Sequence, residues 1–295
     1  MPAKPAISAY FDEATNTVTY LVADPQSGEA AVIDPVLDFD HRNGNASAQS
    51  ARKILEEAKR RGLKIVWVLE THAHADHLTA ASFIKAQTGA RIAIGDRIGT
   101  VQGVFRQVFN LPNVSIDGAE FDRLLKDGDA LSLGKLTIEV LHTPGHTPAC
   151  VSYRIGDAVF VGDTLFMPDY GTARTDFPGG DAATLYRSIK KILRLPPGTR
   201  LFMCHDYKAP GRDHFAWETT VAEEREKNIH IRDGISENEY ADMRNKRDAT
   251  LAAPVLLLPS IQVNIRAGRL PEPEDNGTRY LKIPLRPDED LKSIA

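Results

Sequence analysis

Hydrophobic positions in the first 35 residues fall into three extended, β-branched runs, 6–11, 17–23 and 30–33, separated by polar turns at 12–16 and 25–28. That pattern predicts a strand meander. The period then changes: Ala51, Ile54, Leu55 and Ala58 recur at i, i+3, i+4 and i+7 within 48–61, and Gly62 follows. This predicts a helix with one apolar stripe, ended by a glycine just past its last turn. Residues 65–69 are a short, almost wholly apolar strand that breaks into the polar run THAHADH. The spacing next predicts a helix over 79–88 stopped at Gly89, a strand over 91–94, and a weaker helical period between 97 and 113.

The second half repeats the theme. Leu136, Ile138 and Val140 alternate with polar residues, and 151–155 pairs with 158–161 through a Gly156–Asp157 turn. Asp181 is placed to cap a helix whose Leu185, Ile189, Ile192 and Leu193 form one face, with Pro196 and Pro197 ending it. A strand over 200–204 runs directly into His205. Beyond it the chain is charged and helical, with Ser236 and Glu239 spaced as a capping box ahead of a helix to about Leu251. The stretch after Leu270 is rich in proline and reads as an extended tail. The pattern divides the chain into a core over 1–210 and a helical and extended segment over 211–295 packed on it, with no internal repeat.

Composition narrows the function classes. The 295 residues carry 36 Lys+Arg against 40 Asp+Glu, a formal charge of −4, which disfavours a basic nucleic-acid footprint. Only two cysteines, Cys150 and Cys204, are present, and the start MPAKPAISAY lacks a charged-then-apolar leader pattern. Both features point to a reducing cytoplasm without a disulfide framework. The apolar run at 255–258 is far shorter than the roughly 20 residues of a membrane-spanning helix. The expectation is therefore a cytoplasmic protein that binds neither nucleic acid nor membrane.

Of nine histidines, three lie between His72 and His77. Four places share one design, in which an apolar strand ends and a metal-capable side chain follows. They are His72, His74, Asp76 and His77 after 65–69, His146 after 136–141, Asp163 after 158–161, and His205 after 200–204. Residues two apart in extended chain project alike, so His72 and His74 can face one metal while the next turn redirects Asp76 and His77. Neutral imidazole and ionised carboxylate bind zinc or ferrous iron without any thiolate. The spacing suits one metal or two neighbouring ones.

The runs THAHADH, HTPGHT, GDTLF and CHDY, in that order over about residues 7–207, resemble the metallo-β-lactamase superfamily. The resemblance implies an α/β (α+β) fold, a four-layer αββα sandwich of two mixed sheets flanked by helices, with the site at one edge. Within the superfamily, ETHAHADHLTAASF, GTARTDF and HDY followed by TVAEEREKN are most similar to the glutathione persulfide dioxygenases. These are oxidoreductases of glutathione and hydrogen sulfide metabolism. That subgroup implies one iron(II) per chain held by His72, His146 and Asp163, a two-histidine, one-carboxylate triad with open positions. His74, Asp76, His77 and His205 then orient ligands and hold water, or hold a second metal, and zinc stays open as an alternative ion.

The substrates implied are glutathione persulfide and O2, with sulfite and glutathione as products. Arg174 is implied to pair with a glutathione carboxylate, or else forms an ion pair with Asp176, and Tyr207 to contact the peptide. Asp169, Tyr170, Cys150 and Cys204 receive no role, although extended geometry would turn Cys204 away from the metal. The resemblance leaves open a homodimer and a sulfurtransferase that supplies the substrate. The competing enzyme reading is a glyoxalase II-like dinuclear zinc or iron hydrolase of a glutathione thioester, with Asp163 bridging the metals. A non-catalytic binding protein that keeps the fold is a third reading, disfavoured by the complete ligand set.

Overall fold

The predicted meander opens the structure. A computed structural model describes residues 4–292, and its first half runs β1 (Ala6–Asp12), β2 (Thr17–Ala23), β3 (Glu29–Ile33), β4 (Val36–Asp40), β5 (Asn45–Ser47), α1 (Gln49–Arg60), β6 (Lys64–Leu69), β7 (Leu78–Thr79), α2 (Ala81–Thr88), β8 (Arg91–Gly95), α3 (Ile98–Val108) and β9 (Arg123–Leu125). The second half runs β10 (Ala130–Leu133), β11 (Leu136–His142), β12 (Val151–Ile155), β13 (Ala158–Phe160), α4 (Ala182–Ile192), β14 (Arg200–Phe202), β15 (Glu218–Thr220), α5 (Val221–Lys227), α6 (Glu237–Asp248), α7 (Leu257–Asn264) and α8 (Glu289–Lys292).

Two six-stranded mixed sheets result, ordered β1-β2-β3-β6-β8-β9 and β10-β11-β12-β13-β14-β15, with a small β5-β4-β7 sheet beside the first. Strand alternation assigns each side chain to a layer. In β2, Val18, Tyr20 and Val22 enter the core between the two large sheets, while Leu21 and Ala23 face the helices outside. In the other sheet Phe160 and Phe202 face inward, and Val159 and Leu201 face outward. Stripes from α1, α2, α3 and α7 close the first outer face. Leu185, Ile189 and Ile192 of α4, with Val221 of α5 and Tyr240 of α6, close the second. These three apolar interfaces make the four-layer αββα sandwich.

Local signals act as expected. After α1, Leu63 N–H donates to the Ala58 carbonyl at 2.8 Å and Gly62 N–H to Lys59 at 3.1 Å, with Gly62 at φ 65°, a paired C-terminal cap that only a glycine-like conformation allows. Asp181 accepts from Thr184 N–H at 2.7 Å, and the Ser236–Glu239 capping box is complete. Departures have local reasons. The helix expected over 79–88 begins at Ala81, because Leu78 and Thr79 pair with Leu37 and Val36. The apolar run at 255–258 leads into α7, where Pro259 sits in the first turn and its missing N–H costs no bond. The edge strands β9, β10 and β15 have only three or four residues each, too few for alternation to announce them.

No helix among the described residues is long and apolar enough to cross a membrane.

Candidate metal centre

All four motif segments leave strands at the same end of the sandwich, and their polar groups meet. Two glycines permit the approach. A Cβ on Gly145, at φ 136°, would lie 2.4 Å from the Leu185 backbone, so only glycine lets the His146 loop press against α4. A Cβ on Gly162 would lie 2.6 Å from Thr71 Oγ1, so glycine also brings Asp163 up to the THAHADH segment.

Each of the five motif histidines has one ring nitrogen held by the surrounding framework. His72 Nδ1 lies 3.0 Å from Thr71 Oγ1, whose own hydrogen goes to Asp34 Oδ2 at 2.8 Å, so the imidazole donates to the hydroxyl. His146 Nδ1 donates to the Arg174 carbonyl at 2.7 Å, and His205 Nδ1 to the Asn16 carbonyl at 3.2 Å. His74 Nε2 donates to Asp34 Oδ1 at 3.0 Å and approaches Glu70 Oε2 at 3.4 Å. His77 Nδ1 lies 3.4 Å from the Thr17 hydroxyl.

The opposite atoms lack protein partners. His72 Nε2, His74 Nδ1, His77 Nε2, His205 Nε2, Asp76 Oδ2 and Asp163 Oδ1 are buried without a hydrogen bond. Unpaired buried polar atoms are costly and rare, and here they are gathered in one place, each aimed by a fixed neighbour. That is the arrangement in which bound divalent metal satisfies imidazole and carboxylate lone pairs. The donor set therefore fits a metal ion, with nitrogen and oxygen ligands appropriate to iron or zinc.

The groups divide around Asp163. Ligand atoms of His72, His146 and Asp163 lie within 4.8 Å of one another, with Asp163 Oδ2 at 4.0 Å from His72 Nε2 and 3.7 Å from His146 Nε2. The other carboxylate oxygen, Oδ1, lies 3.3 Å from His205 Nε2, which is also 3.3 Å from Asp76 Oδ2. His74 is tied through Nε2 to Asp34 and Glu70, and its ring also groups with Asp76 and His77 and with Cys204 and His205. Electrostatics follow burial. Burial, reinforced by His74 and His146, pushes the His72 imidazole well below its ordinary value and keeps it neutral. Burial also opposes protonation of His74, but Asp34 and Glu70 outweigh it and hold that imidazole well above the usual range.

His146, Asp163 and Asp76 line a cavity of about 730 Å³, as do Arg174 and Tyr207. Arg174, however, spends its guanidinium on Asp176, with both bonds at 2.6 Å, and on the Ala252 carbonyl at 2.8 Å. This is the ion pair that the sequence left open beside a carboxylate-binding role, and Arg174 keeps its place on the cavity wall. Tyr207 stacks on His205, with ring centroids 5.7 Å apart. Tyr170 lies beside it, and Asp169 turns away to Arg212.

Cys204 corrects one expectation. Its sulfur faces the polar network, 3.6 Å from Asp34 Oδ2 and within 4.8 Å of ligand atoms of His74 and His205, because β14 ends at Phe202 and strict alternation ends with it. Cys150 binds its own loop instead: its sulfur accepts from Thr147 N–H at 3.3 Å, and burial pushes the thiol up to about 12.

Sequence reading passed over Asp34, Glu70, Thr17 and the C-terminal clamp. Asp34 and Glu70 directly follow β3 and β6, so the strand-end rule that found the histidines also covers them. Asn264 of α7 donates to the carbonyls of His74 and His77 at 2.8 Å each. Asp248 of α6 accepts from Thr175 N–H at 2.7 Å, while Arg244 binds both Asp248 and the Thr172 carbonyl. The C-terminal helices thus hold the segment whose Arg174 carbonyl orients His146. No motif announces these contacts.

Known proteins are similar to this chain in sequence and fold. A family model described as the metallo-beta-lactamase superfamily matches residues 13–205. The chain is 55% identical over 290 residues to a probable metallo-hydrolase of Burkholderia pseudomallei, covering 95% of this chain and 98% of the relative. It is 47% identical over 288 residues to glyoxylase B2 of Dictyostelium discoideum, covering 97% and 98%. It is 31% identical over 261 residues to the mitochondrial persulfide dioxygenase ETHE1 of Bos taurus, covering 88% and 87%. It spans 65% of the length of the β-lactamase hydrolase-like proteins that it also matches. The crystal structure of ETHE1 from Myxococcus xanthus superposes with a TM-score of 0.72 at 30% identity, covering 90% of this chain and 100% of that one.

Proposed function

The chain belongs to the metallo-β-lactamase superfamily, and from that premise we propose that it is a non-haem iron(II) persulfide dioxygenase. The reaction converts glutathione persulfide, O2 and water to glutathione and sulfite. The observation that carries this reading is the convergence of His72, His146 and Asp163, of which His146 and Asp163 line the cavity, while His74 Nε2 is tied to Asp34 and Glu70. Two imidazoles and one carboxylate on one side leave the cavity side for two reactants.

In this reading His72, His146 and Asp163 hold the iron, which supplies the redox chemistry between dioxygen and the terminal sulfur. The protein supplies orientation. Asp34 and Thr71 fix the His72 ring, the Arg174 carbonyl keeps the His146 proton on Nδ1, and the strand end at Gly162 sets Asp163. Phe166 and Phe177 line the cavity and reduce the water in it. Tyr207 holds the peptide part of the substrate. A cytoplasmic setting belongs to the same proposal, since Cys150 and Cys204 are free and buried thiols. So do a homodimer and a sulfurtransferase that delivers the persulfide.

One observation favours a second reading. Asp163 Oδ1 lies 3.3 Å from His205 Nε2, which lies 3.3 Å from Asp76 Oδ2, and Asp76 groups with His74 and His77, a donor set suited to a second metal and to hydrolysis of a glutathione thioester. The relatives named as a metallo-hydrolase and a glyoxylase support it.

A single experiment separates the two. Protein purified anaerobically is assayed for iron and zinc per chain, for O2 uptake with glutathione persulfide, and for cleavage of a glutathione thioester. One iron with O2 uptake is expected. Two metals with thioester cleavage and no O2 uptake would overturn the dioxygenase reading. His146→Ala is expected to lose bound iron, read by elemental analysis, while its far-ultraviolet circular dichroism stays unchanged.

A further inference from the structure

Three of the four edge strands of the two large sheets are short, since β9, β10 and β15 have three or four residues each. The fourth, β1, has seven, with no proline or lysine among them and its single charge at the last position, Asp12. Native proteins shorten, charge or cover such edges, because unpaired N–H and C=O groups pair with any strand that reaches them. Among the described residues β1 bonds to β2 alone.

Neighbouring bonds identify the free groups. On the side of β2 away from β1, the Asn16 carbonyl accepts from Asp206 N–H at 3.1 Å, Val18 N–H donates to the Cys204 carbonyl at 2.7 Å, and Asp24 N–H donates to the Glu29 carbonyl at 2.9 Å. Backbone groups in an antiparallel ladder change sides residue by residue, so the odd positions of β2 face β1. The register Asp12–Thr17, Tyr10–Thr19, Ser8–Leu21 and Ala6–Ala23 therefore commits the even positions of β1 to β2. Ile7, Ala9 and Phe11 keep both their N–H and C=O groups on the open side. Their side chains are only partly buried against the core. A groove lined by Tyr10 and by Glu56, Glu57 and Arg60 of α1 separates the strand from the helix beside it.

We infer that β1 is the seam of a homodimer in which two copies of this strand pair antiparallel about a two-fold axis through Ala9, joining two six-stranded sheets into one. The occupant is a second copy because the strand complements its own reversed sequence. With the axis at Ala9 every open group meets an open group: Ile7 pairs with the partner's Phe11, Ala9 with the partner's Ala9, and Phe11 with the partner's Ile7. The outer two set a β-branched side chain beside an aromatic ring, a favourable cross-strand pair. Ser8 faces the partner's Tyr10 and Ala6 the partner's Asp12, so no like charges oppose. The ends are complementary as well. Lys4, 69% exposed beside Asp157, precedes the strand, and Asp12 and Glu13 end it. Antiparallel pairing brings the cation of one copy toward the carboxylates of the other, whereas parallel pairing sets like beside like. The seam runs on into the turn whose Ala14, Thr15 and Asn16 line the active-site cavity, so pairing braces that wall. It gives the proposed homodimer a definite interface and is independent of the proposed chemistry.

The test reads mass and cross-linking in the full-length, metal-loaded chain. At about 50 µM the wild type is expected to sediment as a dimer, at twice the 32.5 kDa of one chain. Ala9→Pro removes an outward N–H and sets a ring against the incoming strand while sparing the bonds to β2. It is expected to sediment as a monomer at the same concentration, with its far-ultraviolet circular dichroism unchanged. A chain carrying both Ser8→Cys and Tyr10→Cys is expected to form a disulfide-linked dimer on oxidation, since the native cysteines are buried. Either substitution alone should not, because like positions of the two copies are diagonal neighbours beyond disulfide reach.

A wild type that is monomeric at about 50 µM would overturn the seam, as would a folded Ala9→Pro variant that stays dimeric. Equal cross-linking by a single cysteine would overturn it too. Where Ala9→Pro does not fold, the double cysteine variant decides: a linked dimer sustains the seam, and its absence overturns it. A seam dimer without O2 uptake would sink the dioxygenase reading alone, and a monomer that takes up O2 would sink the seam alone.

Discussion

His72, His146 and His205 show how a short motif becomes a site, since each has its Nδ1 tied to a backbone carbonyl or a threonine hydroxyl and its Nε2 turned inward. The sequence makes the imidazoles visible through their spacing. It does not reveal which nitrogen faces the metal, because that depends on Asn16, Thr71 and Arg174, whose backbone and hydroxyl groups carry no pattern. Asp34 is an intermediate case, a strand-end carboxylate that the same reasoning reaches once β3 is known to lie beside β6. A residue remote from the metal gives a test of burial. Glu224 is fully buried, its Oε1 has no partner, and burial pushes its carboxyl up to about 8. A raised carboxyl binds its proton more tightly in the folded than in the unfolded chain. Stability is therefore unaffected below about pH 4.5 and falls as the pH rises from there to about 8. Glu224→Gln removes the titration. It is expected to melt at least about 3 °C above the wild type at pH 8.5 and to match it at pH 5, measured by differential scanning calorimetry.

At the scale of elements, α6 separates what caps contribute from what buried pairs contribute. Its start is readable from Ser236 and Glu239, which form the expected box. Its functional face is not, because nothing in the sequence marks Arg244 and Asp248, whereas both are at least 95% buried in the structure. Their partners, Thr172 and Thr175, lie some 70 positions earlier and flank the carbonyl that holds His146. Two substitutions distinguish these roles. Ser236→Ala is expected to cost about 1 kcal/mol of stability, seen as a lower Tm, with metal affinity unchanged. Asp248→Asn is expected to lower Tm and also to weaken metal binding about tenfold in the folded protein, measured by competition with a chelator at low temperature. Equal metal affinity in the two variants would remove α6 from the support of the site.

Across the whole molecule, the candidate ligands come from both large sheets. His72, His74, Asp76 and His77 follow β6 of the first, and His146, Asp163 and His205 follow β11, β13 and β14 of the second. A bound metal would cross-link the two halves and satisfy acceptors that otherwise stay buried and unpaired. Removing it with a chelator should therefore lower Tm by roughly 5–10 °C, from about 2.7 kcal/mol of linkage at a hundredfold excess over Kd. Adding iron(II) back should restore the loss, and a Tm insensitive to metal would argue against a resident ion. The sequence by itself determined the periods, the caps and the chemistry: alternating and apolar runs make strands, a 3.6-residue stripe makes helices, and histidines and aspartates at strand ends make a metal centre. These are local signals, carried by residues close together in the chain. Only the tertiary structure decided that Arg174 is committed to Asp176, that Cys204 faces Asp34, that α6 and α7 brace the site, and that β1 keeps one edge free. Apart from the Arg174–Asp176 pair, whose residues stand two positions apart, those outcomes depend on which groups meet across tens to hundreds of residues, where geometry settles the competition for a charge or a hydrogen bond.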